Sequence, residues 1–64
     1  MKFKKTSKHT WEASKEGFHY YIDLETFQGE GNVYYLTITE NENVLLQGSD
    51  FLKLNDAKKY AKQY

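Results

Sequence analysis

His9 and His19, nine carboxylates, Ser49 and the Gly29-x-Gly31 pair are the residues from which chemistry could be built. A metal ion needs three or four converging ligands. The carboxylates nearest His19 in the chain are Asp23 and Glu25. On an extended strand His19 and Asp23 share a face, but about 13 Å apart at ~3.3 Å per residue. They cannot share an ion without a third element, so a solvent-facing or hydrogen-bonded histidine is the expectation. The carboxylates are scattered, and no spacing singles out an acid–base pair. Gly29-x-Gly31 is not followed by a strand-to-helix junction, so it reads as a turn and not a phosphate loop. Ser49 lacks the flanking residues of a nucleophile elbow. The expectation is a non-enzyme with no catalytic residues, no metal and no cofactor.

The other distinctive chemistry is aromatic. Six Tyr, four Phe and one Trp make up 17% of the 64 residues. A chain this short buries only about 60% of its unfolded surface. It has no cysteine to supply a disulfide, so large rings must provide the core, with help from oligomerisation.

The elements that position these rings follow from periodicity. From His9 the period is two, with Trp11 and Ala13 on one side and Thr10, Glu12 and Ser14 on the other. A turn at Ser14-Lys15-Glu16-Gly17 leads to Phe18, Tyr20, Ile22 and Leu24, alternating with His19, Tyr21, Asp23 and Glu25. That is a strand with one apolar face. A two-residue loop at Lys15-Glu16 would set Trp11 opposite Tyr20 and bring both apolar faces together. Gln28 to Asn32 reads as the second turn. Val33 to Thr39 is a strand with Tyr34, Leu36 and Ile38 on one face and Val33, Tyr35, Thr37 and Thr39 on the other. Glu40 to Asn43 is a third turn, with Asn43 suited to the left-handed region. Val44 to Gln47 is a short strand stopped by Gly48-Ser49-Asp50. The period then changes, and Leu54, Ala57, Ala61 and Tyr64 form one stripe of a helix too short to stand alone.

The expected fold is α+β: a single antiparallel three- to four-stranded meander packed on one C-terminal helix, in the order β-β-β-β-α. Residues 1–64 form one domain, with 1–8 a basic lead-in or an edge strand starting at Phe3. The helix is expected to cover Trp11, Phe18, Tyr20, Ile22, Leu24, Tyr34, Leu36, Ile38 and Leu46. Glu12, His19, Tyr21, Asp23, Glu25, Val33, Tyr35 and Leu45 are left on the other face. Solvation alone asks for a mostly polar surface there. Tyr21, Val33, Tyr35 and Leu45 exceed that need, so these eight are the candidate partner-binding residues.

The ending Phe51-Leu52-Lys53-Leu54-Asn55-Asp56-Ala57-Lys58-Lys59-Tyr60-Ala61 resembles one found in many small bacterial and phage proteins. There a Ser or Thr caps a helix whose Leu and Ala residues dock on a sheet. Lys53 stands at the capping position here, a departure. The strand order resembles the N-terminal half of Hic-type antitoxins and the repeat of YegP-like proteins. The resemblance spans roughly residues 11–61 as topology, and it assigns no functional residue. Nine lysines without one arginine are the usage of an AT-rich genome, consistent with a phage, prophage or plasmid origin.

Net charge is zero, yet segregated. Lys2, Lys4, Lys5 and Lys8 give the first eight residues +4, residues 9–52 sum to −7, and residues 53–64 to +3. The expected partner is another protein or a second copy, met by the acidic, tyrosine-bearing face or an open strand edge. The alternative is nucleic acid held by the terminal lysines with Tyr21 and Tyr35 stacking on bases. Zero net charge and the missing arginine count against it. No apolar run approaches a membrane span, and none follows the basic N-terminus as a secretory leader requires. The expected setting is the cytoplasm.

Overall fold

The computed structural model describes residues 1–29 and 31–64. Five antiparallel strands form a meander in sequential order: β1 (Lys4–Ser7), β2 (Thr10–Lys15), β3 (Phe18–Phe27), β4 (Gly31–Glu40) and β5 (Asn43–Phe51). One helix, α1 (Leu54–Lys62), follows. The α+β class and the order of sheet then helix agree with the sequence pattern; the strand number does not. Of the two forms expected for residues 1–8 the edge strand is the one present, starting at Lys4 and paired with β2 through Lys4 opposite Glu12 and Lys5 opposite Trp11. Its alternation is weak because lysines fill both sides, yet Phe3 reaches the core and meets Tyr20 edge-on at 6.3 Å. Glu30, expected within the second turn, lies outside the described residues.

Two turns differ from expectation in detail. The β2–β3 loop is Glu16-Gly17, not Lys15-Glu16, and both residues have positive φ, 51° and 89°. Such a pair matches the twist of the flanking strands. Moving the loop by one residue shifts the register by two, so Trp11 stands opposite Ile22 and Ala13 opposite Tyr20. A two-residue shift keeps every side chain on its expected face. In the β4–β5 turn the positive φ values fall on Asn41 (48°) and Glu42 (74°), and Asn43 is already in β5.

β5 does not stop at Gly48. It continues to Phe51 through two irregularities, with Val44 opposite Thr39, Leu46 opposite Ile38, and Ser49 opposite Leu36. Leu45 is the extra residue of the first bulge. Gln47 and Gly48 together oppose Thr37 in the second. There Gly48 takes φ 63°, and its N–H donates to Thr37 Oγ1 at 3.2 Å. A glycine that looked like a stop signal therefore accommodates a bulge.

The core lies between sheet and helix. Ala13, Tyr20, Ile22, Leu36, Ile38, Ala57 and Ala61 are buried, with Phe3, Trp11, Phe18, Tyr34, Leu46, Phe51 and Leu54 packed around them. Every expected core residue except Leu24 belongs to this cluster; Leu24 is half-buried beside Tyr34 at one end. The two alanines let α1 approach β4 and β5 closely. Nine residues span only about 14 Å, so the helix does not blanket the sheet. Trp11 is half-buried and leans on Tyr34 at 6.0 Å. Tyr64 falls beyond the helix and is exposed. No helix among the described residues is long and apolar enough to cross a membrane.

Candidate functional site

The face opposite α1 is built from alternate residues of all five strands. Strand pairing arranges them in rows across the sheet. One row holds Ser14, His19, Thr39 and Val44, and the next holds Lys4, Glu12, Tyr21 and Thr37. A third holds Thr10, Asp23, Tyr35 and Asp50, and the last holds Glu25 and Val33. Tyr21 and Tyr35 are therefore diagonal neighbours on adjacent strands, each half-buried against the residues beside it. No element crosses this face among the described residues.

The eight candidate residues do not form one cluster. Glu12, His19 and Tyr21 come together: the His19 and Tyr21 rings stack at 4.7 Å and 4°, and His19 Nε2 lies 3.7 Å from Glu12 Oε1. The stack follows from two-residue spacing on one strand face. The ion pair exists only when His19 is protonated. With side chains 45% and 36% exposed it contributes little to stability. Asp23, Glu25 and Tyr35 line a separate groove of about 520 Å³, with Ser7, His9, Thr10, Thr37 and Gln47 among its other walls. Val33 pairs with Glu25 at the end of the sheet. Leu45 stands apart, 41% exposed on the bulged edge of β5.

Three features escaped the sequence reading. Lys2, Lys4 and Thr6 join Glu12, Ser14 and His19 around a second groove of about 300 Å³. The alternation of Lys2 and Lys4 with Phe3 carried that signal, hidden by the lysine at position 5. Val44, 55% exposed, joins the face because the bulge at Leu45 resets the alternation. Third, His9 is brought to the larger groove by the tight β1–β2 turn. In that turn the Ser7 and Thr10 hydroxyls are hydrogen-bonded and the His9 N–H donates to Ser7 Oγ at 3.3 Å.

The face is electrically polarised. Lys2 and Lys4 border the groove beside His19, whereas Asp23 and Glu25 line the other, with Asp50 in the same row as Asp23. Among the described residues, no group of three or more His, Asp or Glu stands close enough to hold a metal ion. Shallow grooves, surface charge and half-buried rings are the kinds of feature that contact surfaces use. No family model matches the chain, and neither does any curated protein or solved structure.

Proposed function

We propose that this protein is a small non-enzymatic protein-binding module that docks through its helix-free sheet face. The observation that carries the reading is apolar and aromatic material on an uncovered face. Tyr21, Val33 and Tyr35 are half-buried there, and Val44 is exposed in the row of His19 and Thr39. Tyrosine suits such a surface because it joins contact area to a hydroxyl. The sheet edges favour the face over strand addition. β1 bears Lys4 and Lys5 with an irregularity at Thr6, and β5 is bulged twice. Both devices discourage pairing with another chain. The likeness to Hic-type antitoxins and YegP-like repeats extends only to a β-β-β-α order, and the two further strands depart from it. A phage or prophage origin and a cytoplasmic setting belong to the same reading.

Nucleic-acid binding is the second reading. Lys5 Nζ sits 5.5 Å from the centre of the Trp11 ring and Lys58 Nζ 6.0 Å from that of Phe3. Those two lysines point at the core side, whereas Lys2 and Lys4 border the face that carries Tyr21 and Tyr35, so the cations are split between two faces.

The test is Tyr21→Ser with Tyr35→Ser, compared with Leu52→Ser, which removes the most exposed large apolar side chain, 78% accessible, outside this face. Circular dichroism should show all three proteins folded, since surface changes cost little. Capture of partners from cell extract should be lost in the double variant and kept in Leu52→Ser. Equal capture by both would remove the face from consideration; unfolding of the double variant would assign the two tyrosines to the fold.

A further inference from the structure

We infer that the occupant of the helix-free face is a second copy of this chain, joined about a two-fold axis lying between the two sheets near Tyr21. The inference rests on the reading of that face as a docking surface and names what docks.

A two-fold interface must be self-complementary: a patch off the axis meets a different, matching patch of the other copy, and a residue on the axis meets its own counterpart. This face has that property. The groove bordered by Lys2 and Lys4 lies on one side of the stacked His19 and Tyr21 rings. The groove lined by Asp23 and Glu25 lies on the other. A two-fold passing between them sets the lysines of each copy against the carboxylates of its mate, twice per dimer. Tyr21, which lies between the grooves, then meets its own counterpart, and Tyr35, a wall of the acidic groove, faces the mate's basic side. None of these four charges has an ion-pair partner within its own chain among the described residues, where His19 with Glu12 is the pair formed. A foreign basic partner would satisfy Asp23 and Glu25 but meet Lys2 and Lys4 with like charge, and an acidic partner the reverse. Only a partner polarised in the same way satisfies both ends, and a second copy is such a partner.

Size agrees. The molecule measures 38 × 20 × 18 Å, so its broad face approaches the ~800 Å² per partner that specific interfaces bury. Two sheets stacked face to face at about 10 Å are a standard packing. Burial of the outer rings would also add to a core that, at 64 residues, is small for a lone chain.

The experiment is sedimentation equilibrium of the full chain from 1 to 300 µM at low and high salt. A dimer is expected, weakening at least several-fold between the two salts because exposed charge pairs are screened. Lys2→Glu with Lys4→Glu should be monomeric, and so should Asp23→Lys with Glu25→Lys, since each places like charges at both contacts. Mixed in equal amounts, the two variants should form a heterodimer, because each then meets its opposite. A monomeric wild-type chain across the whole range overturns the inference, and so does a dimer that neither charge variant disturbs. Should either variant misfold by circular dichroism, the wild-type result and its response to Tyr21→Ser with Tyr35→Ser still decide: a dimer unaffected by the tyrosine changes lies elsewhere. A monomeric wild type whose capture of another protein still depends on those tyrosines would refute the second copy and keep the docking face. Loss of neither association nor capture would refute both.

Discussion

At the scale of single residues, Tyr20 is the most constrained side chain. It is fully buried, stacked near Phe18 at 6.4 Å and met edge-on by Phe3. Its hydroxyl is buried with no hydrogen-bond partner among the described residues. Burial raises its pKa above the ordinary value, and the nearby Glu16 carboxylate adds to the rise. An unpaired buried hydroxyl costs about 1–3 kcal/mol. Tyr20→Phe keeps the ring and removes that cost, so it should leave stability equal or up to about 2 kcal/mol higher in urea unfolding. Linkage gives a second readout. The unfolded tyrosine releases its proton near pH 10, while the folded one holds it to higher pH. The folded state then binds more protons, and stability falls as pH rises above about 10. Alkaline destabilisation should be smaller in Tyr20→Phe; an unchanged alkaline limb would mean the hydroxyl finds a partner. Trp11, only half-buried, belongs to a lower class than a sealed core ring. Trp11→Ala should cost about 2 kcal/mol rather than the 3–5 typical of full burial, and its fluorescence should report a partly wet indole.

At the scale of elements, two local sequences disagree with the geometry they adopt. Asn41-Glu42 forms a two-residue hairpin loop with positive φ at both positions. Asparagine tolerates this region, but a side chain of glutamate's kind costs about 1–2 kcal/mol there. Glu42→Gly should therefore stabilise the chain by about 1 kcal/mol, visible as a higher urea midpoint with an unchanged slope. A fall in midpoint would show that the Glu42 side chain makes a contact that outweighs the strain. The second case is the start of α1. Lys53 occupies the N-cap in extended geometry, φ −130° and ψ 139°, and makes no side-chain cap hydrogen bond. Its carbonyl accepts from the Asp56 and Ala57 N–H groups, so the backbone is already in place. Lys53→Ser should add about 1 kcal/mol by supplying the missing acceptor. Lys53→Ala should gain nothing, which separates capping from the removal of charge.

At the scale of the whole molecule, the distribution of charge decides which partners are compatible. Four lysines of the basic termini are split between the two faces. Lys2 and Lys4 border a groove on the helix-free face, while Lys5 and Lys58 lie against rings on the core side. On the proposed reading nucleic acid is expected to be a poor ligand, because phosphate binding needs several cations along one path. Titration with single- and double-stranded oligonucleotides at low salt should show no binding tighter than about 100 µM. Micromolar binding with a steep salt slope would reverse the ranking of the two readings.

Side-chain alternation by itself determined which residues face inward and which outward, because strand periodicity is two and turn errors that come in pairs leave it unchanged. That is why Tyr20, Ile22, Leu36 and Ile38 could be read as core and Tyr21 and Tyr35 as the opposite face, although the β2–β3 register was displaced. The change to a 3.6-residue period at Leu54 likewise marked the helix. Strand count, edge geometry and grouping were decided only by tertiary structure. β1 is held by pairing with β2 and by Phe3 against Tyr20, contacts that no local pattern encodes. β5 runs through Gly48 because a bulge gives that residue the conformation only glycine adopts freely, so a breaker became part of a strand. The two oppositely charged grooves flanking Tyr21 exist because β1 pairs onto β2 and carries Lys2 and Lys4 onto the face. They depend on how side chains of β1 and the residues before it meet those of β2 and β3 across the sheet, which alternation along a single strand does not specify.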